Sequence, residues 1–177
     1  MKKVILTFGL IAGAISASLM MVTTIFADRI GFDRGVVVGY ATIVLSSLVI
    51  FFGVRSYRDN VSDGTVTFGR AFLVGLGIAV ISCICYVVVW EVVYYNFMPD
   101  FMDKYAAYQV TKLKASGADV VTVQKQLDGI ARMKVLYANP LYNAAMTFLE
   151  PFPVTLLVTL GSAVILRRSK PRVPQSV

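Results

Sequence analysis

The sequence predicts an all-α integral membrane protein with four transmembrane helices and an extracytoplasmic helical hairpin between the third and fourth. Three observations predict it. Hydrophobic residues fill 57% of the 177 positions and charged residues only 15%, against roughly 45–50% and about 25% in soluble domains. Uncharged runs recur along the chain, near the length of about 20 residues that carries a helix across about 30 Å of hydrocarbon. The basic residues stand between these runs rather than inside them. A mean hydropathy of +0.72 excludes a disordered chain and most soluble enzymes.

The first helix is expected over about 4–27, where Lys2 and Lys3 precede 24 uncharged residues, Val4 to Ala27. The basic start and the small residues Ala14, Ser16, Ala17 and Ser18 also resemble a signal peptide. The run continues through Leu19 to Ala27 without a polar c-region, which suits a retained helix better. A second helix is expected over 35–54, the 20 uncharged residues from Gly35 to Val54. The short link from Asp28 to Arg34 makes the two an antiparallel pair. A polar turn follows at Arg55 to Thr67, rich in Asp, Asn, Ser and Gly. The third run, Ala71 to Pro99, is interrupted only by Glu91 and gives a helix over 71–97, so that residues 1–97 hold three spans. The fourth run extends from Val135 to Leu166, with its helix over 139–166. Asn139-Pro140 and Glu150-Pro151-Phe152-Pro153 interrupt it, and Arg167-Arg168 open a basic cytoplasmic tail, 167–177.

The segment 99–138 is too long for a structureless connection. Phe101, Tyr105, Tyr108 and Lys112 share one helical face, and Ser116-Gly117 breaks the helix. Asp119 is placed to cap a second helix, on which Val120, Val123, Leu127, Ile130 and Tyr137 recur at helical spacing. Pro99 suits the start of the first of these helices. The pair reads as a hairpin outside the membrane, either a packed lid over the bundle or a surface for a partner or for lipid headgroups.

Lys and Arg number 17 and Asp and Glu 10, a net charge of +7. In this setting the positive charge orients helices and meets anionic headgroups; the bilayer is the expected partner, and nucleic acid is not. With four spans both termini share a side, which carries nine Lys and Arg against eight on the other. The nine crowd the helix ends, whereas several of the others lie far from them among Asp100, Asp103, Asp119 and Asp128. That distribution places both termini in the cytoplasm. Small residues spaced by four (Gly9, Gly13 and Ala17; Gly35 and Gly39; Gly75 and Ala79) let helices pack closely within or between chains, leaving the oligomeric state open.

No histidine is present, which removes Ser-His-Asp, Cys-His and His-bearing zinc chemistry. Cys83 and Cys85 stand two apart on one helix, about 200° around its axis, and cannot share a metal ion. No nucleophile motif, metal-ligand cluster or phosphate-binding glycine loop accompanies the acids, so neither an enzyme nor a cofactor is expected.

Glu91 and Glu150 are the residues hardest to explain as architecture. An ionised carboxylate at depth costs about 2.5–3.5 kcal/mol on insertion scales, so it faces the bundle interior, finds a partner or holds a proton. Glu91 lies 21 residues after Arg70 and Glu150 lies 17 before Arg167, about 31 and about 25 Å above the cytoplasmic edge at 1.5 Å per residue. On antiparallel helices the two fit one polar pocket in the outer third, with Tyr94 or Tyr95 one turn from Glu91 and Asn96 near the mouth. Three readings stay open. The acids share a proton or cation; or one pairs with Arg29, Arg34 or Lys134 as a staple; or both are hydrated among headgroups. Pro151 and Pro153 remove the donors that would pair with the carbonyls of Thr147 and Leu149, freeing polar backbone beside Glu150.

Several segments resemble a known family. Phe51-Phe52-Gly53-Val54-Arg55-Ser56-Tyr57-Arg58-Asp59, Thr67-Phe68-Gly69-Arg70-Ala71-Phe72, Trp90-Glu91 with Tyr94-Tyr95-Asn96-Phe97, Pro99-Asp100-Phe101-Met102-Asp103-Lys104-Tyr105, and Asn139-Pro140 with Thr147-Phe148-Leu149-Glu150-Pro151-Phe152-Pro153 carry the likeness. Together they resemble the bacterial family known as domain of unknown function 4199, over about Lys2 to Arg168. The resemblance implies a small four-span inner-membrane protein with a long loop before its last helix, and it implies no activity. The expected function is a small transporter, proton-coupled component or membrane accessory factor using the acids. The alternative is a structural or assembly protein whose hairpin binds a partner.

Overall fold

The computed structural model describes residues 1–168, and these are helical: α1 (Lys2–Ile25), α2 (Ala27–Val61), α3 (Phe68–Asn96), α4 (Phe101–Ala115), α5 (Val120–Tyr137), α6 (Pro140–Leu149) and α7 (Phe152–Leu166). Four segments are long and apolar enough to cross a membrane: Lys2–Ile25, Arg29–Val61, Phe68–Asn96 and Pro140–Leu166, the last being α6 and α7 in succession. The described residues form no strand, only an isolated bridge in which Val66 and Arg168 exchange backbone hydrogen bonds of 3.1 and 2.9 Å. Lys170 and Arg172 of the expected basic tail lie outside the described residues.

Two boundaries depart from the sequence reading. The link at Asp28 to Arg34 is itself mostly helical: the chain turns at Phe26, re-enters a helix at Ala27 and bends at Gly31, whose φ of 72° and ψ of 165° suit a residue without Cβ. At the other end α2 runs on to Val61, through most of the segment read as a polar turn. Charge ends an apolar run without ending a helix. Here an Arg55–Asp59 pair at 3.6 Å and an Asn60–Ser56 hydrogen bond of 3.2 Å support the added turns, and Tyr57 anchors them in the core. The true reversal occupies 62–67, with Asp63 and Gly64 at positive φ.

The helices approach closely where glycine permits. A Cβ on Gly9 would fall 2.7 Å from that of Ile81, and one on Gly13 would fall 2.6 Å from that of Cys85, so α1 lies tight against α3. Gly75 faces Thr159 of α7, together with Ile50 and Val54 of α2. One apolar core gathers Ile50, Val54, Tyr57, Val66, Val74, Ile78 and Leu166 at the end that holds the chain's start and the α2–α3 turn. A second, aromatic core lies at the opposite end, where Tyr94, Met102 and Ile130 pack with Trp90, Phe101, Tyr105 and Tyr137.

That second core is how α4 and α5 dock on the bundle. The face carrying Phe101, Tyr105 and Tyr108 meets Phe32 of α2 at ring separations of 5.9, 5.8 and 5.0 Å. Lys112 reaches Asp33 at 2.6 Å, and the Tyr108 hydroxyl donates to the same carboxylate oxygen. Asp119 caps α5 by accepting from Thr122 N at 2.7 Å, and a hydrogen bond with the Thr122 side chain, followed by this backbone bond, holds its carboxyl below the ordinary range. Between α4 and α5, Lys134 pairs with Asp103 at 2.5 Å. Val120, expected on the apolar face of α5, is instead 84% exposed at its first turn, beside Val121 at 75%.

Candidate polar site between α3 and the last span

A ladder of polar contacts joins α3 to α6 and α7. The indole of Trp90 donates to Asn143 Oδ1 at 3.0 Å, and the Thr147 hydroxyl donates to the same oxygen at 3.1 Å. Below it the Tyr86 hydroxyl donates to Glu150 Oε2 at 3.3 Å, and Cys83 Sγ approaches Thr155 Oγ1 at 3.8 Å. As α3 positions fall from 90 to 83, their partners rise from 143 to 155, the register of antiparallel helices. Asn143 is fully buried, and among the described residues neither its Nδ2 nor Thr159 Oγ1, further along the same segment, finds a hydrogen-bond partner.

Local chemistry puts Glu150 where it is. Asn139 caps α6 by accepting from Leu141 N at 2.9 Å, with Pro140 in the first turn, where its missing N–H costs nothing. The expected break at Glu150-Pro151 is present, since α6 stops at Leu149 and α7 starts at Phe152. Glu150 and Pro151 nevertheless keep right-handed helical backbone angles, so missing donors make the break and the chain holds its course. Glu150 is exposed on the bundle surface at this discontinuity.

Glu91 is placed differently. Five residues along α3 separate it from Tyr86, which amounts to about 7.5 Å along the axis and about 140° around it. Glu91 is half-buried, and its Oε1 is enclosed without a hydrogen-bond partner among the described residues. No hydrogen bond joins Glu91 to Glu150 among the described residues. The other expected neighbours are engaged elsewhere. Tyr94 is buried in the aromatic core, 5.8 Å from Trp90 and 6.2 Å from Tyr137 between ring centres. The Tyr95 hydroxyl donates to the Tyr137 carbonyl at 3.0 Å, and Asn96 Nδ2 donates to Val92 O of its own helix at 2.9 Å.

The sequence reading passed over Tyr86, Asn143 and the hydroxyl of Thr147. Their signal was periodic: Tyr86 and Trp90 are four apart on α3, and Asn143, Thr147 and Glu150 recur at four and three on the last span. Among the described residues no three His, Cys, Asp or Glu side chains group as a metal site. The chemistry available is that of one carboxylate, one phenol donor and two carbonyls released by proline. Groups of this kind are suited by their chemistry to holding a proton or ligating a cation.

A family model described as a protein of unknown function, DUF4199, matches residues 7–168. The chain belongs to this family. Its matched region encloses the whole ladder, both acids and the α4–α5 pair. Neither the curated proteins nor the solved structures include a match to this DUF4199 member.

Proposed function

We propose that the protein is a multi-pass component of the bacterial inner membrane, with both termini cytoplasmic, and that Glu150 with Tyr86 forms its proton- or cation-handling site. A small transporter, a proton-coupled component or an accessory factor to one fits this description. The observation that carries the reading is the 3.3 Å contact from Tyr86 to Glu150 at the proline break. A carboxylate at that depth is costly and has one phenol to offset it, and freed carbonyls stand beside it. Half-buried Glu91, whose Oε1 is enclosed without a hydrogen-bond partner among the described residues, supports a second proton-holding position on another face of α3. The residues suit exchange of a proton or ion better than bond-making chemistry, so the protein is not an enzyme on this reading. Its surroundings are lipid. The test is pH-driven proton or monovalent-cation flux in proteoliposomes: flux that falls to the empty-vesicle level in Glu150→Gln supports the reading, and equal flux in wild type, variant and empty vesicles refutes it.

One observation favours the alternative of a structural or assembly protein. Val120 and Val121 are 84% and 75% exposed at the first turn of α5, beyond the aromatic core that docks the pair. On that reading the α4–α5 pair is an extracytoplasmic hairpin whose tip receives a protein partner or a second copy. Loss of a co-purified partner in Val120→Ser/Val121→Ser, with no flux in any vesicle, favours it.

A further inference from the structure

Trp90 touches both α4 and the last span. Its ring meets Phe101 edge-on, 5.5 Å between centres, and its N–H donates to Asn143 Oδ1 at 3.0 Å. Phe101 opens α4, and its ring also lies 5.9 Å from Phe32 of α2 and 6.3 Å from Tyr94 of α3. Yet α4 is lightly held. Of its 15 residues Met102 alone is buried, and the Asp33 and Lys112 side chains that clip it to α2 are 67% and 58% exposed. An element with so few buried contacts opens before the spans do, and an exposed ion pair adds little to hold it.

The amide below Trp90 has two arrangements. An indole nitrogen only donates, so Asn143 must present its oxygen to Trp90. Thr147 donates to that same oxygen at 3.1 Å. On the other side of the amide, Nδ2 carries two N–H groups and has no hydrogen-bond partner among the described residues, in a side chain that is fully buried. Asn143 therefore keeps this orientation because the indole is there. With the indole withdrawn, a half-turn about the last side-chain torsion puts Nδ2 where the oxygen was, and Nδ2 donates to Thr147 Oγ1. A hydroxyl accepts as well as donates, so the reversal satisfies the amide and frees the Thr147 hydrogen. Glu150 follows Thr147 by one turn on the same face, where the backbone keeps helical angles. Tyr86 engages Glu150 Oε2, leaving Oε1 for a second donor.

We infer that α4 governs the hydrogen bonding of Glu150 through this amide: docked, it holds Trp90 on Asn143 and Thr147 points to the amide; lifted, it lets the amide turn, and Thr147 donates to Glu150 instead. The inference rests on the proposed role of Glu150 and supplies the regulation of that site. Coupling between distant groups needs contiguous side chains with two discrete arrangements. Phe101, Trp90, Asn143 and Thr147 form such a series, and one torsion separates its two states.

Infrared difference spectroscopy of the full chain in liposomes tests this, recorded in acid buffer with the carboxyl protonated and with Glu150→Gln assigning the band. Trp90→Phe keeps a ring against Phe101 and removes only the N–H. It is expected to move the Glu150 carbonyl stretch to lower frequency, as for a carbonyl that accepts a further hydrogen bond. Lys112→Met, at the clip on the far side of α4, is expected to move it the same way by a smaller amount. Adding Thr147→Val to either variant cancels the shift. A band unmoved in Trp90→Phe overturns the inference, as does one unmoved in Lys112→Met or a shift that survives Thr147→Val. Flux separates it from the parent reading. Glu150-dependent flux with an unmoved band overturns the coupling alone, and absent flux overturns the parent reading whatever the band does. Thermal melting of each variant confirms that it folds.

Discussion

The Tyr86 hydroxyl, near the middle of α3, donates at 3.3 Å to Glu150, which stands at the proline break of the last span. The two residues are 64 apart in sequence. They join a long uninterrupted helix to a discontinuous one at the point where the latter has lost two backbone hydrogen bonds.

Trp90 offers a check on the rung above. Replacing Asn143 by Ala leaves the indole N–H and the Thr147 hydroxyl without their shared acceptor inside the bundle. Interhelical hydrogen bonds in membranes are worth about 0.6 to 1.7 kcal/mol, so a loss of about 1–2 kcal/mol is expected. Trp90 is the sole tryptophan, so its emission should shift in the same variant. Unchanged emission and unchanged unfolding in detergent would remove this rung.

Glycines divide into tight and open sites. Gly13→Ala drives a Cβ to 2.6 Å from that of Cys85, and overpacking of this kind costs about 1–3 kcal/mol. Gly35→Ala meets nothing within 4 Å, and should leave the melting midpoint level or slightly raised through helix propensity. Equal destabilisation by the two substitutions would contradict the packing of α1 on α3.

The lid fastening is an ion pair, with a defined pH dependence. Hydrogen bonds to Asp33 and Tyr108 raise Lys112 above its ordinary value. A raised basic group contributes fully below its unfolded value, near 10.4, and its contribution fades as pH climbs from there toward the folded value. Hydrogen exchange of α4 should therefore be steady from neutral pH to about 10 after correction for intrinsic rates, and rise in more alkaline buffer. Lys112→Met should show faster exchange at every pH. An α4 whose protection ignores Lys112→Met would be held by Phe32 and its aromatic neighbours alone.

Long apolar runs made the four helices that are long and apolar enough to cross a membrane legible, because the length a bilayer requires is simple arithmetic. The cap at Asp119 was legible for a local reason, since Asp after the Ser116-Gly117 break and before Val120 leaves little choice of backbone; Asn139, read only as part of an interruption, proves to be the cap of α6. The extension of α2 to Val61 was not, because charge sets where a helix leaves lipid and i,i+4 pairs decide where it ends. Nor was the separation of Glu91 from Glu150. Depth along a span can be counted from the sequence, but the face a residue presents depends on which neighbour packs where, and that is settled by Gly9, Gly13 and Gly75 meeting particular partners. Tyr86 escaped notice because a tyrosine in a membrane helix carries no cost that demands explanation until its hydroxyl is seen beside an acid.

The pairing of Glu150 with Tyr86, apart from Glu91, is tested most directly by an infrared difference titration of the carboxyl bands in liposomes. The measurement compares wild type with Tyr86→Phe, Glu91→Gln and Glu150→Gln, the last assigning the Glu150 band. Tyr86→Phe is expected to move the Glu150 band and its titration midpoint, while Glu91→Gln leaves both in place. A Glu150 band indifferent to Tyr86→Phe, or one that moves with Glu91→Gln, would contradict the account.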